Sequence, residues 1–219
     1  MHLRLKIFIL FTVFACQNLL VCAQDRSFCQ MPIPDSVMAR MQGVSLPVAE
    51  AARHGFRQED LRYLRLLHYD FEGNVREGEM VCNAAIAEDL LDIFKQLYEA
   101  KYPIASIRLI DEFGADDERS MRANNTSCFC FRAVAGSKKL SKHARGLAID
   151  LNPLQNPCVK TRNGRTVVQP STATRFTNRS RKFAHKIDRN DLAYRLFREH
   201  GFTWGGSWQS LKDYQHFER

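Results

Sequence analysis

Two short stretches set the geometry that any fold of this chain has to satisfy. One reads Ser141-Lys-His143-Ala-Arg-Gly146-Leu-Ala148-Ile-Asp150. The other, near the C-terminus, reads Asp213-Tyr-Gln-His216 and follows Trp204-Gly-Gly-Ser-Trp208. Together they hold two imidazoles and a carboxylate suited to a divalent metal, plus a second carboxylate three residues before the last imidazole. A catalytic zinc site needs three protein ligands, an open position for water and a base nearby. His143, Asp150 and His216 are the candidate ligands and Asp213 the candidate base, and the fold must bring these distant stretches to one place.

The residues around them suggest how. Leu147-Ala-Ile-Asp-Leu151 alternates as a strand does, with Leu147, Ile149 and Leu151 on the buried face and Ala148 and Asp150 on the other. Gly146 leaves the backbone free to turn between His143 and that strand, and Asn152-Pro153 ends it. Asp213 and His216 would face opposite ways in a regular strand, so a turn or bulge is expected around Tyr214. Elsewhere, Leu64 to Tyr69 reads as extended, followed by a turn at Gly73-Asn74. Asn83 caps a helix over residues 84–100, whose Ile86, Leu90, Ile93, Phe94 and Leu97 share one face. A strand over 104–110 and a loop over 111–127 come next, then a hairpin about Asn163-Gly164. A second helix is predicted over 191–200, capped by Asn190 and stopped by Gly201. Strands and helices mix without regular βαβ alternation, so the expected class is α+β with a mainly antiparallel sheet.

The chain has 219 residues, 45% hydrophobic and 26% charged, which suits one globular domain. Its start reads as a leader: Arg4 and Lys6, an apolar run from Ile7 to Phe14, a second patch from Leu19 to Val21, and a small-residue exit at Ala23. The run is short for a bilayer span of about 20 residues, and Gln17 and Asn18 interrupt it. Residues 1–23 are therefore expected to be a signal peptide and the mature protein to be exported, periplasmic or secreted, with no membrane span. Val13-Phe-Ala-Cys16 is also similar to a bacterial lipobox, an alternative in which Cys16 carries a lipid anchor. Residues 24–60, with Pro32, Pro34 and Pro47, read as an irregular lead-in to a domain over 61–219. The net charge of +8 suits an anionic partner such as a cell wall or lipid headgroups, and equally plain solubility. No nucleic-acid-binding motif is found. Cleavage after Ala23 leaves Cys29, Cys82, Cys128, Cys130 and Cys158, an odd number that cannot all pair, and these read as packing residues.

Ser141-x-His143-x-x-Gly146-x-Ala148-x-Asp150 joined to Asp213-x-x-His216 resembles the signature of the VanY-type D-alanyl-D-alanine carboxypeptidases, zinc peptidases related to VanX dipeptidases and phage L-alanyl-D-glutamate endopeptidases. Asn124-Asn-Thr-Ser127, Asn152-Pro-Leu-Gln-Asn156-Pro157 and Gly201-Phe-Thr-Trp-Gly-Gly-Ser-Trp208 fit the same pattern, and the similarity runs from about Leu61 to Glu218. The resemblance implies one zinc ion on His143, Asp150 and His216, with Asp213 as catalytic acid/base. It implies peptidoglycan stem peptides as substrate and a compact α+β fold, a central antiparallel sheet flanked by helices, as in the Hedgehog signalling domain. It also suggests an arginine for the substrate carboxylate, with Arg122 and Arg132 as candidates. Ser141 is a candidate for substrate contact, and Trp204 and Trp208 for the cleft wall. Arg145 and Cys130 depart from the pattern, standing where an aromatic residue and an asparagine are common.

The expected chemistry follows from these parts. Zinc on two neutral imidazoles and one carboxylate keeps a net positive charge and acidifies its water, while Asp213 takes and returns the proton. The leading expectation is a monomeric zinc D-alanyl-D-alanine carboxypeptidase. An L-alanyl-D-glutamate or other wall endopeptidase shares the site, and a non-catalytic zinc-containing binding module is the alternative of another class. Retention of Asp213 beside His216 argues against the last.

Overall fold

The computed structural model describes residues 27–134 and 137–219. The leader read from residues 1–23, including Cys16, lies outside the described residues. Among the described residues no helix is long and apolar enough to cross a membrane.

The segment expected to be an irregular lead-in carries a short strand, β1 (Cys29–Met31), and two short helices, α1 (Asp35–Met41) and α2 (Val48–Arg53). Proline accounts for the difference. Pro34 and Pro47 stand immediately before the helices, where their fixed φ and missing N–H start a helix rather than break it. A long hairpin follows, β2 (Leu61–Tyr69) and β3 (Val75–Asn83), paired antiparallel from Leu61↔Asn83 to Tyr69↔Val75, with β1 on the outer edge of β2. Both faces of this hairpin are used. Leu64, Leu66, Met80 and Cys82 face the main core, while Leu61, Tyr63 and Val81 join Ile33, Val37, Met38 and Met41 in a second cluster.

Asn83 caps the next turn as predicted, its side chain accepting from Ala85 N at 2.9 Å. That turn leads into α3 (Ala87–Glu99), whose Leu90, Ile93, Phe94 and Leu97 are buried in the main core. The strand expected over 104–110 is only β4 (Ser106–Ile107), ended by a 3-10 turn over Ile110–Phe113. The loop expected over 111–127 instead holds α4 (Asp117–Arg122), capped by Asp116, and β5 (Asn125–Thr126) beside β4.

The rest of the chain builds the site. β6 (Ala148–Asp150) is followed by the predicted hairpin, β7 (Cys158–Arg162) and β8 (Arg165–Gln169). α5 (Leu192–Glu199) is capped by Asp191, one residue after the predicted Asn190. β9 (Thr203–Trp204), β10 (Lys212–Asp213) and β11 (His216–Glu218) complete the chain. β11 lies between β6 and β9, whereas β10 pairs with β7, so Tyr214-Gln215 is the bend at which the chain changes partner. The structure is mixed α+β with antiparallel pairing dominant, β4–β5 being parallel. Cys82, Cys128 and Cys130 are buried and form no disulfide, as packing residues would, whereas Cys158, read the same way, is half-buried and lines the cleft described below.

The β2–β3 turn is held by one carboxylate. Asp70 accepts from the backbone N–H of Glu72 and Asn74 and from Arg76 Nε at 2.7 Å. Burial pushes its carboxyl up, but Arg76 and Asn74 outweigh burial and hold it at about 2. An unfolded aspartate titrates near 3.9. The fold therefore gains from Asp70 above about pH 4, and that gain is lost as pH falls towards 2. Asp70→Asn should lower the urea midpoint at neutral pH, and the gap from the parent should close on acidification. A gap independent of pH would show that the charge is not what stabilises the turn.

Candidate metal centre and cleft

Pairing between β6 and β11 places two of the candidate ligands. His216 stands directly opposite Asp150 in the antiparallel register, a position in which neighbouring side chains share a face and touch. Asp150 is also gripped from its other side. It exchanges both backbone hydrogen bonds with Ser127, at 2.9 and 3.1 Å, so the strand carrying it is paired on both edges.

His143 arrives by a different route. It begins a 3-10 turn, His143–Arg145, in which Ser141 Oγ accepts from Ala144 N at 3.1 Å. Gly146 closes the turn in the left-handed conformation, φ +65°, and its carbonyl accepts from Asn83 N at 2.8 Å. A Cβ at Gly146 would sit 2.6 Å from Asn83 N, so both conformation and space require glycine. The turn is thereby locked to the end of β3. Ser141 is buried and borders the cleft, but its hydroxyl serves the His143 turn.

The three groups converge. His143 Nε2 lies 3.3 Å from Asp150 Oδ2 and 3.2 Å from His216 Nδ1, and His216 Nδ1 lies 3.0 Å from Asp150 Oδ1. All three residues are buried, and their ligand atoms lie within 4.8 Å of one another. The outer nitrogen of each ring is also engaged. His143 Nδ1 is 2.7 Å from the Cys128 carbonyl oxygen, and His216 Nε2 is 3.1 Å from Glu218 Oε2. With protons on those outer nitrogens, an ion could take the inner nitrogens in place of the proton that His216 Nδ1 shares with Asp150, the arrangement in which metal-binding histidines are held from behind.

The electrostatics ask for a cation at this point. Burial lowers the His216 imidazole, yet Asp150 and Glu218 outweigh it and push it up to about 10. Burial raises Asp150, but His143 and His216 hold it below the usual carboxylate range. Burial and then the Asp150 charge push Asp213 up to about 6. Two lone pairs and a carboxylate around one point, with two further carboxylates close by, fit a divalent metal.

A cleft of about 350 Å³ opens over this cluster, lined also by Asp117, Arg132, Cys158, Trp208, Asp213 and Glu218. Asp213 pairs with Cys158 in the β10–β7 register, and its Oδ1 is buried without a hydrogen-bond partner among the described residues. Gly205 permits this approach, since a Cβ there would lie 2.6 Å from the Asp213 carbonyl oxygen and 3.2 Å from His216 Cβ.

The remaining candidates divide. Trp208 lines the cleft, its ring 5.1 Å from that of His216. Trp204 does not: it is buried in the main core, and its Nε1 donates to the Tyr214 carbonyl at 3.0 Å. It thus holds the bend that separates Asp213 from His216. Arg132 borders the cleft, paired with Asp117 at 2.6 Å, whereas Arg122 is exposed at the end of α4 and is not among the cleft-lining residues. Sequence reasoning missed Asp117, Cys158 and Glu218. Only Glu218 carried a signal, since two residues beyond a ligand on a strand means the same face.

Glu218 should therefore set the strength of metal binding. Chelator competition with Zn²⁺ or Co²⁺ should show one ion per chain, lost in His143→Ala. Glu218→Ala should weaken binding by about 10- to 100-fold, and Glu218→Gln, whose amide oxygen still accepts, should weaken it much less. Parent-like affinity in Glu218→Ala would exclude this role.

No solved structure matches the chain. A family model described as D-alanyl-D-alanine carboxypeptidase matches residues 135–219, a shorter stretch than the resemblance from Leu61 suggested. That stretch supplies His143, Asp150, Asp213 and His216, so the C-terminal part of the chain, the part that builds the cluster, is similar to the D-alanyl-D-alanine carboxypeptidases.

Proposed function

We propose that this chain is a zinc-dependent peptidase that removes the terminal D-alanine from peptidoglycan stem peptides. One observation carries the reading. A buried carboxylate with an unpartnered oxygen, Asp213, opens onto the same cleft as the His143–Asp150–His216 cluster. A zinc ion held by those three residues would supply Lewis acidity towards a water molecule and the scissile carbonyl.

The chain's own groups do the rest. Asp213 takes a proton from the attacking water and returns it to the leaving amine, and its carboxyl, raised to about 6, suits that exchange near neutral pH. Trp208 closes one side of the cleft and limits the water around the reacting bond. Arg132 favours removal of a terminal residue over an internal cut. Its guanidinium is held by Asp117, and its Nε is buried without a partner among the described residues. A substrate carboxylate is the acceptor that this N–H lacks. An exported enzyme would meet this substrate, in keeping with the leader read from residues 1–23.

Two measurements test the reading. Asp213→Ala should cut the turnover of a peptide ending in D-Ala-D-Ala by about 100-fold or more while one metal ion stays bound; unaltered hydrolysis would remove Asp213 from the mechanism. A peptide amidated at its C-terminus should be a much poorer substrate than the free acid, and Arg132→Ala should erase that preference. Equal turnover of the two peptides, with stem peptides cut internally, would make the enzyme an endopeptidase instead.

A further inference from the structure

The positive charge of this chain is concentrated in one place. Residues 158–189 contain nine lysines and arginines and a single acid, Asp188, whereas the whole chain has 32 Lys and Arg against 24 Asp and Glu. The rest of the chain thus holds 23 of each, and the entire net charge of +8 belongs to this segment.

The segment starts at the cleft and runs away from it. Cys158 and Gln169, at the open end of the β7–β8 hairpin, both line the cleft. After Pro170 a 3-10 turn over Ser171–Phe176 packs beside β8. Glu118 reaches in from α4, but it accepts from Ser171 N at 2.7 Å and so holds backbone rather than a cation.

Two of the cations have structural work. Arg179 is half-buried and donates to the carbonyls of Gln155 and Ile187 and to Asn156 Oδ1, with its guanidinium 4.3 Å from the Tyr214 ring centroid. Lys186 pairs with Asp188 at 3.4 Å. Phe176 and Phe183 pack together, ring centroids 5.1 Å apart, and give the loop a fixed base. In contrast, Lys160, Arg165, Arg175, Arg181, Lys182 and Arg189 are exposed, and among the described residues none has a carboxylate partner.

Unpaired like charges held on an anchored segment repel one another, and an anion relieves that repulsion. Their layout selects the kind of anion. They are strung along a hairpin and a loop instead of ringing a pocket. A depression of about 330 Å³ beside Lys182, Phe183 and His185 is shared with Asp191 and so does not favour one small anion. Four of the six are arginines, whose planar fork matches phosphate oxygens. We propose that residues 158–189 are a docking surface for an extended phosphate-bearing polyanion, tethering the protein alongside its cleft. This holds whether or not the cleft hydrolyses a peptide.

The test is binding of the full chain to long-chain inorganic polyphosphate across a series of salt concentrations. Affinity should fall steeply and linearly in log–log form as salt rises. The triple variant Arg165→Glu/Arg181→Glu/Lys182→Glu should lose about 100-fold, whereas Arg53→Glu/Lys95→Glu/Lys101→Glu, equal in charge but at exposed sites elsewhere, should lose less than about threefold. Metal content and thermal unfolding check that each variant is folded. Should a reversal variant fail to fold, Arg181→Gln/Lys182→Gln against Lys95→Gln/Lys101→Gln gives the same comparison. Equal losses in the two sets would reduce the effect to net charge and overturn the proposal. So would no binding to polyphosphate, or binding only to phosphatidylglycerol vesicles, which would make the surface a membrane contact.

Discussion

When β11 lies antiparallel to β6, His216 falls opposite Asp150 and Phe217 falls opposite Ile149. The second pair is what fixes the first. Phe217 and Ile149 are fully buried, and Phe217 stacks on Phe197 with ring centroids 4.3 Å apart. A slip of one residue would turn those apolar side chains into the cleft and drive an imidazole and a carboxylate into the core. The hydrophobic register of two three-residue strands therefore sets the spacing of the ligands. The aromatic core beneath the cleft is part of the site in this sense.

The third ligand depends on backbone contact rather than packing. His143 is carried by a turn closed at Gly146 and tied to Asn83, and its ring is aimed by the Cys128 carbonyl. Each residue of the cluster thus comes from a different element, and each is held from behind by a group outside the cluster. Such outer partners keep the geometry when the inner atoms carry charge that would otherwise push them apart. Asp150 and Asp213 repel, and Asp213 rises to about 6 as a result of burial and that repulsion. The same crowding of carboxylates that makes the cluster suited to a cation also raises the Asp213 carboxyl.

The parts of this arrangement that were legible in the sequence are those governed by local rules. The Asn83 cap, the apolar face of α3, the Asn163-Gly164 hairpin and the turn near Tyr214 follow from cap, period and turn chemistry. Tertiary context decided the rest. β6 is paired on both edges, so all of Ala148–Asp150 is buried, whereas alternation alone predicted an open face at Asp150. Trp204 and Trp208 look equivalent four residues apart, yet one closes the core and the other the cleft. Asp117 could not be found beforehand, because its importance comes from Arg132, which meets it only in the folded chain.

The two departures from the family pattern fall where the fold makes them tolerable. Cys130 is buried, and what it offers the site is its backbone N–H, which donates to the His143 carbonyl at 3.2 Å. Any residue but proline supplies that bond, so a thiol in place of an amide leaves the ligand turn in position. Arg145 points to solvent, while its carbonyl accepts from Asn83 Nδ2 at 3.0 Å. Here too the backbone holds the turn and the side chain is released from it. Substitution at either position therefore leaves the backbone bonds that hold the His143 turn in place.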